Sequence, residues 1–128
     1  MIYHIATRDA LARAERSGIY TAHSLDEEGF IHCSTRVQVI PVANAVFKDV
    51  DEGEVILLAI DENLLTSPLR WEDPAHPDPS NPPEISSAEA FPHIYGPLNV
   101  DAIVSHAPLR RDDAGSFYWP PDLSLDTP

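Results

Sequence analysis

The sequence predicts a single α+β domain, and three observations carry that prediction. The chain has 128 residues and is 43% apolar, enough for one core and too short for two. Its clearest strand, "EVILLAID", is a nearly continuous apolar run of the kind found in strands covered on both faces. Helical patterns flank several short β-prone runs without the regular alternation of a doubly wound sheet.

Taken in order, "MIYHIA" is short, aromatic and β-branched, and reads as a strand. "TRDALARAERSG" follows with strong helix formers, Thr7 as N-cap and Gly18 as the C-terminal stop. Ala10, Leu11 and Ala14 give this helix one apolar face. "IYTAHSLDEE" reads as a loop or a short extended piece, and "GFIHCS" as a strand entered through a glycine. "TRVQVIPVANAVFKDV" has a capping-box pair, Thr35 and Gln38, and an apolar stripe of Val39, Ala43, Val46 and Phe47. Pro41 conflicts with a helix beginning at Thr35, so the helix either starts near Ile40 or is kinked there. "PLRWED" reads as another short strand.

The segment 74–90 has five prolines between Pro74 and Pro83 and reads as a long surface loop. "FPHIYG" is a strand leaving that loop, "NVDAI" a single turn and "IVSHAPLRR" a final strand. The domain is expected to span residues 1–112. Residues 113–128 form a C-terminal extension that packs at its start and is disordered at its end.

The formal net charge of −13 comes from 21 acids against 8 Lys and Arg, which argues against a nucleic-acid partner. One cysteine, Cys33, cannot build a disulfide framework or a Cys-rich zinc site. No apolar run is long enough to span a membrane, and the N-terminus lacks the pattern of a signal peptide. A cytoplasmic protein is expected.

Strand alternation sorts the candidate site residues. His32 and Ser34 share one face of "FIHCST", with Ile31 and Cys33 on the other. Phe91, His93 and Tyr95 share one face of "FPHIYG", where aromatic rings can bracket a planar ligand and a histidine can supply a hydrogen bond. Gly96 would allow close approach of a backbone or a ligand. His4 stands opposite Tyr3 and Ile5 in the first strand. Arg70 and Glu72 share one face of "LRWE", where Glu72 is either a site residue or merely the ion-pair partner of Arg70, with Leu69 and Trp71 on the other. His23, His76 and His106 lie in polar or proline-rich contexts and read as background.

Among possible chemistries, a metal is disfavoured because His32 and Cys33 point to opposite faces. Serine nucleophilic catalysis is disfavoured because "HCST" has no glycine elbow. Histidine pairs acting on a phosphate or a dinucleotide, by hydrogen bonding and proton transfer, remain.

The order of phrases "YHIAT", "GFIHCST", "VILLAID", "RWE" and "FPHIYGPL" resembles a bacterial family catalogued as domain of unknown function 952, from about Ile2 to Leu109. More distantly, the layout looks like the ADP-ribosyltransferase fold, and within it the RNA 2′-phosphotransferases. That resemblance implies a split, mostly antiparallel sheet with flanking helices and a cleft between its halves. It implies NAD or a related nucleotide as ligand and ADP-ribose transfer as a possible activity. His4 and Thr7 of "YHIAT", with Ser34, Trp71, Glu72 and Gly96, would contact the ligand. His32, His93 and Tyr95 would carry any catalysis. The chain departs from the transferase pattern at Ile5, where a glycine is usual, and in the acidic "SLDEEG" ahead of His32. It also has no Glu in the third phrase, where His93 or Tyr95 would substitute. A two-histidine phosphodiesterase and a non-enzymatic binding module stay open as alternatives.

Overall fold

The computed structural model describes residues 1–72, 90–121 and 123. In chain order the elements are β1 (Ile2–Thr7), α1 (Arg8–Ser17), β2 (Ile19–Tyr20), α2 (His23–Glu28), β3 (Ile31–His32) and α3 (Arg36–Val46). They continue with β4 (Val55–Ile60), β5 (Leu69–Glu72), β6 (Phe91–Ile94), β7 (Leu98–Asn99), β8 (Ile103–Pro108), β9 (Arg110–Arg111) and β10 (Phe117–Tyr118). Single 3₁₀ turns cover Glu52–Glu54, Glu62–Leu64 and Val100–Ala102.

Among the described residues every strand pair is antiparallel. The central sheet runs β1-β4-β8, and a second sheet runs β3-β6-β5. Two-stranded pairs, β2 with β7 and β9 with β10, complete the fold. The predicted α+β class, with antiparallel pairing, is thus found.

β4 is buried along its whole length, and its alternate residues feed two cores. Ile56, Leu58 and Ile60 join Ile2 and Ala6 on one face, covered by Leu11 and Ala14 of α1 and by Ile31 and Ile94 of the second sheet. Val55, Leu57 and Ala59 join Tyr3 and Ile5 on the other, covered by Val39 and Ala43 of α3 and by Leu109, Phe117 and Leu123. An unbroken apolar run is what such a doubly covered strand requires.

α1 begins where Thr7 accepts a hydrogen bond from the Ala10 amide (3.2 Å) and ends at Gly18, whose φ of 85° few other residues tolerate. α3 starts at Arg36, not near Ile40, and runs through Pro41. Gln38 Oε1 accepts from the Thr35 amide (2.9 Å), and Gln38, Val39 and Ala43 are buried. This anchoring outweighs the single hydrogen bond that Pro41 cannot donate.

The stretch "IYTAHSLDEE" does begin with a short extended piece, β2, but the rest is the short helix α2 and not a loop. α2 has no buried residue and no side-chain cap, so periodicity does not reveal it; an i,i+4 contact of His23 with Glu27 (2.8 Å) accompanies it. Residues 74–89 of the proline-rich loop and the end of the C-terminal extension lie outside the described residues. The start of that extension is part of the body. Phe117 and Leu123 are buried, and Trp119 meets the Tyr3 ring edge-on at 5.1 Å. Among the described residues, no helix is long and apolar enough to cross a membrane.

Candidate functional site

The second sheet turns Ile31, Ile94 and Leu69 toward the core. By alternation its other face carries the polar residues, and the strand register arranges them in rows. His32 pairs with His93, and His93 with Arg70, so these three form one transverse row. Glu72 pairs with Phe91 on one side of that row. Phe30 and Tyr95 stand on the other side, just beyond the paired strands.

Contacts across the rows draw these side chains into a cluster. Glu72 Oε1 accepts two hydrogen bonds, from the Tyr95 hydroxyl at 2.5 Å and from His93 Nδ1 at 2.9 Å. A carboxylate can only accept, so His93 carries its proton on Nδ1 in this pair. Among the described residues, no group donates to Glu72 Oε2, and the Glu72 side chain is 37% exposed. The Tyr95 and His93 bonds hold the Glu72 carboxyl below its usual range, and the same bond raises the Tyr95 phenol above 10. Glu72 is therefore an ionised acceptor held through Oε1, with a partly exposed side chain.

Phe30 stacks on the His93 ring at 4.3 Å and also meets His32 and Tyr95 at 4.8 and 5.2 Å. The His32 and His93 rings lie 5.4 Å apart, edge to face. Under this cover His93 is only 2% exposed, whereas the His32 side chain is 39% exposed. His32 Nε2 lies 3.1 Å from Glu28 Oε1 of α2. The Arg70 guanidinium lies over the Tyr95 ring, 4.9 Å from its centre, and makes no ion pair with Glu72.

The other sequence-predicted residues serve elsewhere. His4 is buried with both nitrogens engaged: Nδ1 donates to the His32 carbonyl, and Nε2 accepts from the Tyr20 hydroxyl (2.8 Å). Burial pushes its pKa down to about 4, so the ring is neutral. It ties β1 to β3 and fixes the backbone beneath His32, and its ring does not join the cluster. Ser34 is buried and exchanges backbone hydrogen bonds with Tyr3 (2.7 and 2.9 Å), a second tie between the sheets. The Thr7 hydroxyl caps α1. Trp71 is 49% exposed on the strand parity opposite Glu72 and stands apart. At Gly96, φ is 149° and an added Cβ would stand 2.5 Å from the Ser67 hydroxyl, so the glycine admits a neighbouring loop. His76 lies outside the described residues.

Glu28, Phe30 and Arg70 join the cluster without having been predicted. Phe30 was accessible to alternation, two residues before His32. Glu28 was hidden by reading α2 as a loop, and Arg70 by reading it as the partner of Glu72. Among the described residues, no three His, Cys, Asp or Glu side chains gather as metal ligands.

A protein-family model described as "Protein of unknown function (DUF952)" matches residues 5–106. Among solved structures, the chain is similar to protein CC0527 from Caulobacter crescentus in three determinations. Its crystal structure is 27% identical with a TM-score of 0.73, covering 91% of this chain and 92% of that one. A crystal structure of a double mutant of the same protein gives 28%, a TM-score of 0.71, and coverage of 91% and 92%. The solution NMR structure gives 27%, a TM-score of 0.67, and coverage of 90% and 89%. No curated protein matches the sequence.

Proposed function

The chain belongs to this family of proteins of unknown function, and from that premise we propose that its second sheet binds NAD or a related nucleotide. The carrying observation is the Glu72 carboxylate, fixed through Oε1 by Tyr95 and His93 with Oε2 left to a ligand. An ionised, pre-oriented acceptor of this kind suits a sugar hydroxyl, which can donate and would otherwise be hydrated. The half-exposed His32 ring and the rim of Phe30 and Tyr95 supply the second polar contact and the flat apolar surface that a nucleotide needs.

The roles then divide by exposure. His32 and Glu72 touch the ligand, and Tyr95 both holds Glu72 and offers its ring. His93 is a positioning residue, since Phe30 covers its ring and its Nδ1 faces Glu72. His4 and Ser34 hold the strand that carries His32. In ADP-ribose transfer, NAD supplies a glycosidic bond whose breaking leaves the sugar electron-poor. Glu72, ionised beside the ribose, would stabilise that positive charge. Glu72 would thereby fill the place of the carboxylate absent from "FPHIYG". Phosphodiester chemistry with two histidines needs both imidazoles at the phosphate, and the covered His93 ring does not meet that need.

Thermal-shift and calorimetric titration with NAD, ADP-ribose and cyclic nucleotides tests this reading. A rise in melting temperature with NAD or ADP-ribose, removed by both His32→Ala and Glu72→Gln, is the expected result. Flat curves for all three ligands would refute it and favour a binding module for some other partner.

A further inference from the structure

We propose that Arg70 is the phosphate-binding residue of this site, which makes the ligand a sugar phosphate held at two points. The inference rests on the nucleotide reading above and narrows it. Arg70 and Glu72 are two residues apart on β5, so they share a face and stand about 7 Å apart along the strand. That spacing matches the reach from a ribose hydroxyl to a phosphate on the same sugar. One end meets an ionised acceptor and the other a guanidinium, whose fork of N–H groups fits phosphate oxygens.

The arrangement of Arg70 is what singles it out. The chain has 21 acids against 8 Lys and Arg, so carboxylates are plentiful around its cations, although among the described residues no Lys or Arg forms an ion pair. Arg70 has one two residues away and on its own face, yet Glu72 is turned to Tyr95 and His93 instead. Among the described residues, Arg70 donates no hydrogen bond and forms no ion pair; its guanidinium rests on the Tyr95 ring. Arg111 Nη2 donates to the carbonyls of Phe47, Lys48 and Val50, and Arg8 Nε to that of Gly53, whereas Arg36 lies over the Trp119 ring much as Arg70 lies over Tyr95. What distinguishes Arg70 is its place in the row of His32 and His93, on the face that carries Glu72. Ring stacking orients Arg70 and leaves its N–H groups open, which lowers the ordering cost of meeting an anion. Glu72 repels a phosphate placed on its own side, so the two charges also fix the direction in which the ligand lies.

Calorimetric titration with ADP-ribose and with adenosine, which lacks phosphate, separates the possibilities. Wild type should bind ADP-ribose more tightly, and added salt should weaken that binding alone. Arg70→Gln should lower ADP-ribose affinity about ten-fold or more and leave adenosine affinity unchanged. Arg70→Lys should restore part of the loss, because it keeps the charge without the fork. Arg70 is exposed, so both variants should retain the wild-type melting temperature. Equal ADP-ribose affinity in wild type and Arg70→Gln would overturn the assignment while leaving nucleotide binding intact. Failure of wild type to bind either compound would overturn both.

Discussion

Acidification should weaken this fold through His4, by an amount its geometry sets. The ring donates from Nδ1 to the His32 carbonyl and accepts at Nε2 from Tyr20, so a second proton would have nowhere to go. Burial, the largest influence, lowers the pKa from 6.5 to about 4, while the bond to the His32 carbonyl partly opposes it. As pH falls below 6.5 the unfolded chain takes up the proton first, so stability declines from there to about pH 4 and then levels. The gap between 6.5 and about 4, at roughly 1.4 kcal/mol per unit, amounts to about 3 kcal/mol. Urea unfolding from neutral pH down to about pH 4 measures it, with His4→Gln as the reference that cannot titrate. Wild type should lose about 3 kcal/mol more than the variant across that interval, whatever the many carboxylates contribute to both. NMR titration of the His4 ring in wild type gives the same answer without a variant. Parallel pH slopes for the two proteins, or a His4 midpoint near 6.5, would refute the reasoning.

Three further outcomes are expected. Tyr20→Phe removes the donor to His4 Nε2 and leaves a buried acceptor unpaired, which should lower stability by about 1–3 kcal/mol in urea unfolding. Glu72→Gln should bring the Tyr95 phenol back toward 10, and Tyr95→Phe should raise the Glu72 carboxyl; ultraviolet and carboxyl-carbon NMR titrations read the two halves. Leu58→Ala empties a fully buried position in the middle strand of the central sheet and should cost about 2–5 kcal/mol of unfolding free energy.

Much of the fold was legible because the signals involved are local. The doubly buried β4, the capped α1 and the strand faces of "FPHIYG" follow from period and capping alone. α2 was not legible, since a six-residue helix without a buried stripe has no periodicity to detect. The site divided along the same line. Alternation within each strand paired His32 with Ser34, His93 with Tyr95 and Arg70 with Glu72, but it could not show that Phe30 folds over His93. Nor could it show that His4 finds Tyr20, 16 residues on, and becomes a strut. Arg70 was misjudged for a related reason. Strand spacing predicts an ion pair with Glu72, but it says nothing about competing donors from another strand.

The packing of Phe117, Trp119 and Leu123 beneath the central sheet bears on how the chain acquires its structure during synthesis. Tyr3 and Ile5 are made well before much of the surface that shelters them, which includes residues more than a hundred positions later. Their strand partner β4 arrives midway, and β8 later still. Closing such distant contacts is slow relative to local helix formation. A nascent chain halted before residue 117 would display an apolar sheet face to its surroundings, a state prone to aggregation. Native structure is therefore completed only once the last strand pair has emerged, and a chaperone would have most to protect just before that moment.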